Sequence, residues 1–283
     1  VVIFGPTLSP HSPYTTRGLT IEDGVFSVPP FEPDEIYPWG TDMLGRDILS
    51  LVLSGAQQTL FLAFSVVLAR IVVGFALGAI AGWFYGRWLD RAIVGFAEVI
   101  SAFPTLLLAM ILVLAFGIRR GVEPFVIALG FVGWGEVMQY VRSEVMLIRP
   151  KLFIESAVAL GARTVRIIWR HVLPNLLPSL VSITVLEMGA VLMLLGELGF
   201  IGIFIGGGAF AELDIAGAAF HYSDVPEWGA MLSNVRTYAR AFPWMAMYPA
   251  GAFLVAIMGF IVFGDGIRRL IERVGVEVTQ LFF

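Results

Sequence analysis

The chain has no cysteine, so a disulfide or a thiolate metal site is excluded at once. Histidine is nearly as scarce. His11, His171 and His221 lie far apart and make no ligand-spaced pair, and no metal centre is expected. Charge is thin as well: Asp, Glu, Lys and Arg make up 14% of the 283 residues, against about 25% in soluble domains. No G-x-x-x-x-G-K-[ST] loop occurs, so the chain is not expected to bind or hydrolyse ATP itself, and no cofactor of its own is expected. An intramembrane enzyme would need a nucleophile and base, or metal ligands, at matching depth, and His171 has no apparent partner. The net charge of −4 says little, because in a membrane protein the distribution of charge matters more than its sum.

What is there is apolar. Hydrophobic residues make up 58% of the chain and the mean hydropathy is +0.86. An all-α polytopic membrane protein is expected. A span needs about 20 residues, and five stretches qualify or nearly do: Thr59 to Ala81, Ile93 to Gly117, Pro124 to Tyr140, Asn175 to about Ile201, and Pro243 to Gly264. Pro104 should kink the second of these. Residues 47–57 read as an amphipathic helix on the membrane surface. Val1 to Phe4 read as the end of a further, earlier span. Residues 1–46 are otherwise an extracytoplasmic loop rich in Pro and Gly, and 47–283 the transmembrane domain.

The long polar interruption is Pro150 to Pro178, PKLFIESAVALGARTVRIIWRHVLPNLLP. Pro150 suits a first helical turn. Lys151 to Leu160 are mostly good helix formers, and Glu155 sits early, where the helix dipole tolerates negative charge. Gly161 should end this helix. A second short helix, Arg163 to His171, would carry Arg163, Arg166 and Arg170 on one face. Loops on one side hold eleven Lys and Arg (positions 87, 91, 142, 149, 151, 163, 166, 170, 268, 269 and 273), those on the other six. The positive-inside rule then puts loop 142–175 in the cytoplasm and loop 202–241 outside.

Several strings resemble one family. Glu155-Ser156-Ala157 followed by Gly161 resembles the E-A-A-x-x-x-G loop of the membrane subunits of ABC importers, with Ser156 where the family has Ala. Arg166 to Asn175, with His171, Pro174 and Asn175, is similar to the version in dipeptide/oligopeptide permeases. Gly40-Thr41-Asp42-Met43-Leu44-Gly45-Arg46-Asp47 matches the family's G-T-D-x-L-G-R-D in full. Pro226-Glu227-Trp228-Gly229 is similar to P-x-x-W-G, Pro243-Trp244 with Pro249 to P-W-x-x-x-x-P, and Gly264-Asp265-Gly266-Ile267-Arg268 to G-D-x-L-R. The resemblance, closest to the second of the two permeases in peptide or nickel importers, runs from about Gly40 to Arg273.

It implies a type I ABC-importer transmembrane domain in a bacterial or archaeal cell membrane. The implied partners are a second homologous permease, two ATPase subunits that bind the ATP and Mg, an extracellular or periplasmic substrate-binding protein and the lipid bilayer, with no nucleic acid. Peptides are the implied substrate class, with nickel or another small solute as the alternative. The implied ATPase-coupling residues are Glu155, Ser156, Ala157, Leu160, Gly161 and Arg163.

From the residues alone, the Gly40–Asp47 string reads as structural: Asp42, Arg46 and Asp47 can pair with one another, and Gly40 and Gly45 permit tight turns. Arg70, Glu187 and Glu197 are charges inside spans, to be read as pathway residues or as structural pairs. With Glu98 and Glu136 they would also suit an ion-coupled secondary transporter, although no clear internal repeat is present. Two departures from the family pattern stand out. At the outer end of the fifth helix, Leu195 replaces the family's frequent carboxylate, and Glu197 follows two residues later, roughly 200° around the helix. Phe204 to Val225, with Gly206-Gly207-Gly208 and then Glu212, Asp214 and Asp224, is longer than the family's usual connection. It reads as altered contact with a partner or as a tolerated surface loop.

Overall fold

A computed structural model describes residues 5–22, 25–212 and 219–281. The expected span end at 1–4 and Asp214 lie outside the described residues. In order the elements are α1 (Gly5–Leu8), β1 (Thr20–Glu22), β2 (Val25–Ser27), α2 (Ile48–Trp83), α3 (Trp88–Ser101), α4 (Thr105–Phe116), α5 (Glu123–Ile148), α6 (Leu152–Ala159), α7 (Thr164–Ile167), α8 (Leu173–Ile201), β3 (Ala209–Glu212), β4 (Ala219–Tyr222), α9 (Trp228–Leu232), α10 (Val235–Tyr238) and α11 (Trp244–Leu281). Each strand pair is a small antiparallel hairpin.

Among the described residues four helical stretches are long and apolar enough to cross a membrane, within Ile48–Trp83, Glu123–Ile148, Thr164–Gly207 and Trp244–Leu270. Counting the bent pair α3 and α4 as one span gives five. Two expectations change here. Residues 47–57 are not a separate surface helix but the first turns of the 36-residue α2. Nothing between them and Thr59 breaks the helix, and Gln57 and Gln58 are good helix formers. The span around Pro104 is not kinked but broken, with α3 and α4 meeting at 91°. Pro104 has no N–H to give, and the residue before a proline is driven out of helical conformation, so the ladder stops at Ser101.

The chain divides into two compact units. One holds residues 1–64, 110–125 and 190–258, the other 65–109, 126–189 and 259–283. In the second, the α2 glycines at 74, 78 and 82 fall four residues apart and so on one face. A Cβ at Gly78 would lie 2.5 Å from the Met138 carbonyl oxygen, and one at Gly74 2.6 Å from Val137 Cβ. The ridge exists because only glycine lets α2 approach the α5 backbone this closely. Val137, Val141, Val145, Ile148, Ile154 and Ile167 continue the same core toward α6 and α7. Asp90 and Arg142 close the turn beside it, with Arg142 Nε donating to Asp90 Oδ1 at 2.6 Å and the Gly86 N–H to Oδ2 at 2.9 Å.

In the first unit the Gly40–Asp47 string is a junction. Asp42 Oδ1 accepts the Leu44 and Arg46 N–H groups, both at 2.9 Å, and Oδ2 meets the Arg46 guanidinium at 2.7 Å. Arg46 Nη1 reaches the Ser223 carbonyl at 3.0 Å. Gly40 and Gly45 hold φ of 71° and 76°, and a Cβ at Gly45 would meet the Arg17 carbonyl oxygen at 2.1 Å. The expected three-way pairing is corrected in one member. Asp47 turns to the start of α2, where it accepts the Leu49 and Ser50 N–H groups, and it meets His11 Nδ1 at 3.3 Å. A carboxylate at a helix N-terminus has unpaired N–H donors within reach, and these outcompete Arg46, already held by Asp42.

The 204–225 insert is the β3–β4 hairpin, joined to the rest of its unit through His221. The ring stacks on Phe210 at 4.2 Å, its Nε2 lies 2.9 Å from the Gly207 carbonyl oxygen, and the Asn234 side chain bonds the His221 backbone N–H and carbonyl.

Candidate functional site

The basic loop forms two helices, as its sequence demands, but they differ in kind. After Pro150, Lys151 is extended at φ −74° and ψ 143°, and α6 begins at Leu152 with Glu155 in its first turn. It ends on Gly161 at φ 78°. The Gly161 N–H donates to the Val158 carbonyl and the Ala162 N–H to the Ala157 carbonyl, the paired bonds of a Schellman cap. The Ser156 hydroxyl donates to the Leu152 carbonyl at 2.8 Å, so the residue that departs from the family pattern is absorbed by the helix itself.

The second helix is not a free segment from Arg163 to His171. The short α7 passes into a π-helical stretch, Ile168–Val172, and straight on into α8. Pro174 cannot donate to the Arg170 carbonyl, and helices commonly meet such a gap with a π-bulge. Asn175 Nδ2 donates to the His171 carbonyl at 2.6 Å beside it. His171, Pro174 and Asn175 therefore shape the entry to α8.

Only Ile154 of α6 is fully buried. It pins the helix onto Ile148, Ile167 and Trp83. Nearly everything else is bare. Leu152 is 80% exposed and Leu160 88%. Glu155, Ser156, Gly161, Arg163, Arg166 and Arg170 are exposed and Ala157 half-buried. Val165 and Trp169 continue the apolar surface along the following segment. Under α6 lies an open cleft of about 880 Å³ whose lining includes Trp83, Tyr85, Arg149, Glu155 and Thr164. Exposed leucines at the two ends of a rigidly capped short helix, followed by the exposed arginines at 163, 166 and 170, make a surface that fits a protein partner.

The intramembrane charges separate. Arg70 and Glu187 form a buried pair, Arg70 Nη1 to Glu187 Oε2 at 2.8 Å, and Arg70 Nε donates to the Leu129 carbonyl at 3.0 Å. Gly133 makes room, since a Cβ there would sit 2.0 Å from the guanidinium carbon. Glu197 is not part of this pair. It is half-buried on α8, whereas Leu195 packs into the first unit beside Phe204 and Glu227.

The remaining motif residues are structural. Trp228 Nε1 donates to the Val52 carbonyl at 2.8 Å. Gly229 lies so close to Gly199 that a Cβ on the latter would be 2.5 Å from the Gly229 Cα. Gly264 packs on Val185 and Leu186, and Asp265 pairs with Arg268 and Arg269. Glu227, buried with its Oε1 accepting the Ile205 N–H at 3.1 Å, was not singled out by the sequence. Burial pushes its carboxyl up to about 8. The Asp90–Arg142 pair was missed as well. The glycine ridge had a signal, G-x-x-x-G-x-x-x-G inside an apolar run, that would have found it.

The helix inventory, the broken span and the capped loop between α5 and α8 define the transmembrane domain of a type I ABC importer. The inward-facing MetNI methionine ABC transporter has the same fold: two crystal forms match at a TM-score of 0.55, with 17% and 16% identity, over 78% and 79% of this chain and 95% and 94% of theirs. The chain belongs to the family described as binding-protein-dependent transport system inner membrane component, whose sequence profile matches residues 74–274. Similar relatives include the dipeptide transport system permease protein DppC of Alkalihalophilus pseudofirmus, 32% identical over 96% of this chain and 81% of its own. The glutathione transport system permease protein GsiD of Pectobacterium atrosepticum is 31% identical over 85% and 73%. The probable D,D-dipeptide transport system permease protein DdpC of Escherichia coli is 30% identical over 96% and 82%. The chain is thus a multi-pass membrane permease subunit of an ABC transporter.

Proposed function

We propose that this permease forms half of the translocation path of a peptide importer and that α6 with Gly161 is the contact through which cytoplasmic ATPases drive it. The observation that carries the reading is the bare, rigidly capped α6, with Leu152 and Leu160 exposed and Ile154 tying it to the ends of α2 and α5. A push on α6 is passed to packed helix ends rather than lost in a loose loop. The names of the relatives, dipeptide, D,D-dipeptide and glutathione systems, favour a short peptide or peptide-like solute. The chain does no covalent chemistry. Its work is to hold two conformations whose balance the ATPases shift. The second permease, two ATPases that bind ATP and Mg, and a substrate-binding protein outside the cell complete the assembly in a bacterial or archaeal membrane.

The test is reconstitution. The chain is purified from native membranes with its neighbours, which are identified by mass spectrometry, and the complex is placed in vesicles. ATP-dependent uptake of a labelled dipeptide, requiring a second permease and Walker-motif ATPases, is the expected result. A chain that comes out alone and moves solute on an ion gradient without ATP would overturn it.

A further inference from the structure

We infer that one face of α5 is a wall of the translocation path, with Glu136 the anionic contact for the cationic end of the passing solute. This rests on the importer reading above.

Glu136 stands thirteen residues from the start of α5 and twelve from its end, so it lies at mid-span. It is exposed, as are Gln139 and Ser143. Spacings of three and four place the three on one helical face. Between them Val137, Met138 and Val141 are fully buried, so this chain packs the other side of the helix and leaves the polar stripe uncovered. Past the first turn, where Glu123 is exposed, the exposed positions in the first half of the span are Ile127 and Phe131, which are apolar and point well away from Glu136. One α5 surface thus suits lipid and the other does not. An acid at the centre of a bilayer is costly, and such groups face water or a counter-charge.

The counter-charge is not in this cluster. Arg70 is already engaged by Glu187 and by the Leu129 carbonyl. Glu136 bears electrostatically on Glu187, the carboxylate that already holds the Arg70 guanidinium. The stripe therefore presents net negative charge. The complementary ligand group is a cation of ammonium type, and in a peptide that is the free amino terminus.

The absence of native cysteine makes the test direct. Gln139→Cys, Ser143→Cys and, as the lipid-side control, Phe131→Cys are made singly in this chain within the full importer in membranes. Each is treated with a cationic trimethylammonium and an anionic sulfonate thiosulfonate of similar size. The cysteines at 139 and 143 are expected to react on the order of tenfold faster than the one at 131, since both reagents travel in water. At 139 the cationic reagent should be favoured by roughly threefold or more, a preference that Glu136→Gln abolishes. Inert cysteines at all three positions, as when a partner subunit or lipid covers the stripe, would overturn the proposal, and so would a charge preference indifferent to Glu136. Labelling as expected in a complex that takes up no peptide would leave the path standing and defeat the peptide reading instead.

Discussion

At the scale of single residues, one buried carboxyl is held by backbone N–H groups and another by a guanidinium. Glu227 is stabilised as the neutral acid. Only the Ile205 and Ala230 N–H groups oppose burial, and its carboxyl sits at about 8 against an ordinary 4.5. The folded protein therefore holds a proton that the unfolded chain releases above about 4.5. Its contribution to stability is full below that pH, drains as pH rises, and is gone above about 8. The thermal midpoint of the detergent-solubilised complex should fall between pH 5 and 8.5 by more in the native protein than in Glu227→Gln, a difference worth a few kcal/mol. Parallel pH curves for the two would show that Glu227 is not buried as described. Arg70 and Glu187 are instead held against each other, Nη1 to Oε2 at 2.8 Å. Arg70→Leu strands a buried carboxylate and should cost about 3–5 kcal/mol, while adding Glu187→Leu should recover part of it. Denaturation of the single and double variants, read as a double-mutant cycle, measures that coupling; additive costs would refute it.

At the scale of elements, the seam between α2 and α5 depends on atoms that are missing. Gly78→Ala adds one carbon within 2.5 Å of the Met138 carbonyl oxygen. Backbone cannot yield there, so the variant should lose about 1–3 kcal/mol. Gly95→Ala, also in a helix but with open space around it, should be neutral or gain about 1 kcal/mol from helix propensity. Equal melting temperatures for the two variants would refute the ridge. The same seam shows what was legible in advance. Hydropathy found each apolar stretch and set the bounds of α8 closely, but it missed the first turns of α2 and the ends of α5 and α11, which run beyond the apolar windows. Glycine and proline marked the turn at 161 and the break at 104. The strength of the break was not legible, because whether Pro104 bends or severs a span depends on what the freed backbone can pack against. Helix faces were not legible either. Glu136 and Glu98 read alike in sequence as charges on spans, and only the observed burial of Val137, Met138 and Val141 gives Glu136 its direction.

At the scale of the molecule, the family strings divide by purpose. Gly40–Asp47 and Trp228–Gly229 were legible as motifs, yet their side chains spend themselves on internal hydrogen bonds and close contacts. The Glu155–Gly161 string instead leaves all but Ala157 exposed, and a surface so exposed calls for a partner. Two variants separate its adhesive and mechanical parts. Leu160→Asp puts a charge at a position 88% exposed in this chain, so the permease should still insert and pair with its fellow permease while losing most of the bound ATPase on purification. Gly161→Val leaves that surface in place but forces a β-branched residue to φ 78°, where it is strained by about 1–2 kcal/mol, although no atom stands within 4 Å of the new Cβ. The cap should loosen without the fold failing, the ATPases should stay bound, and ATP hydrolysis should continue with uptake much reduced. Retained ATPase in the first variant, or undiminished uptake per ATP in the second, would show that force enters this permease somewhere other than α6.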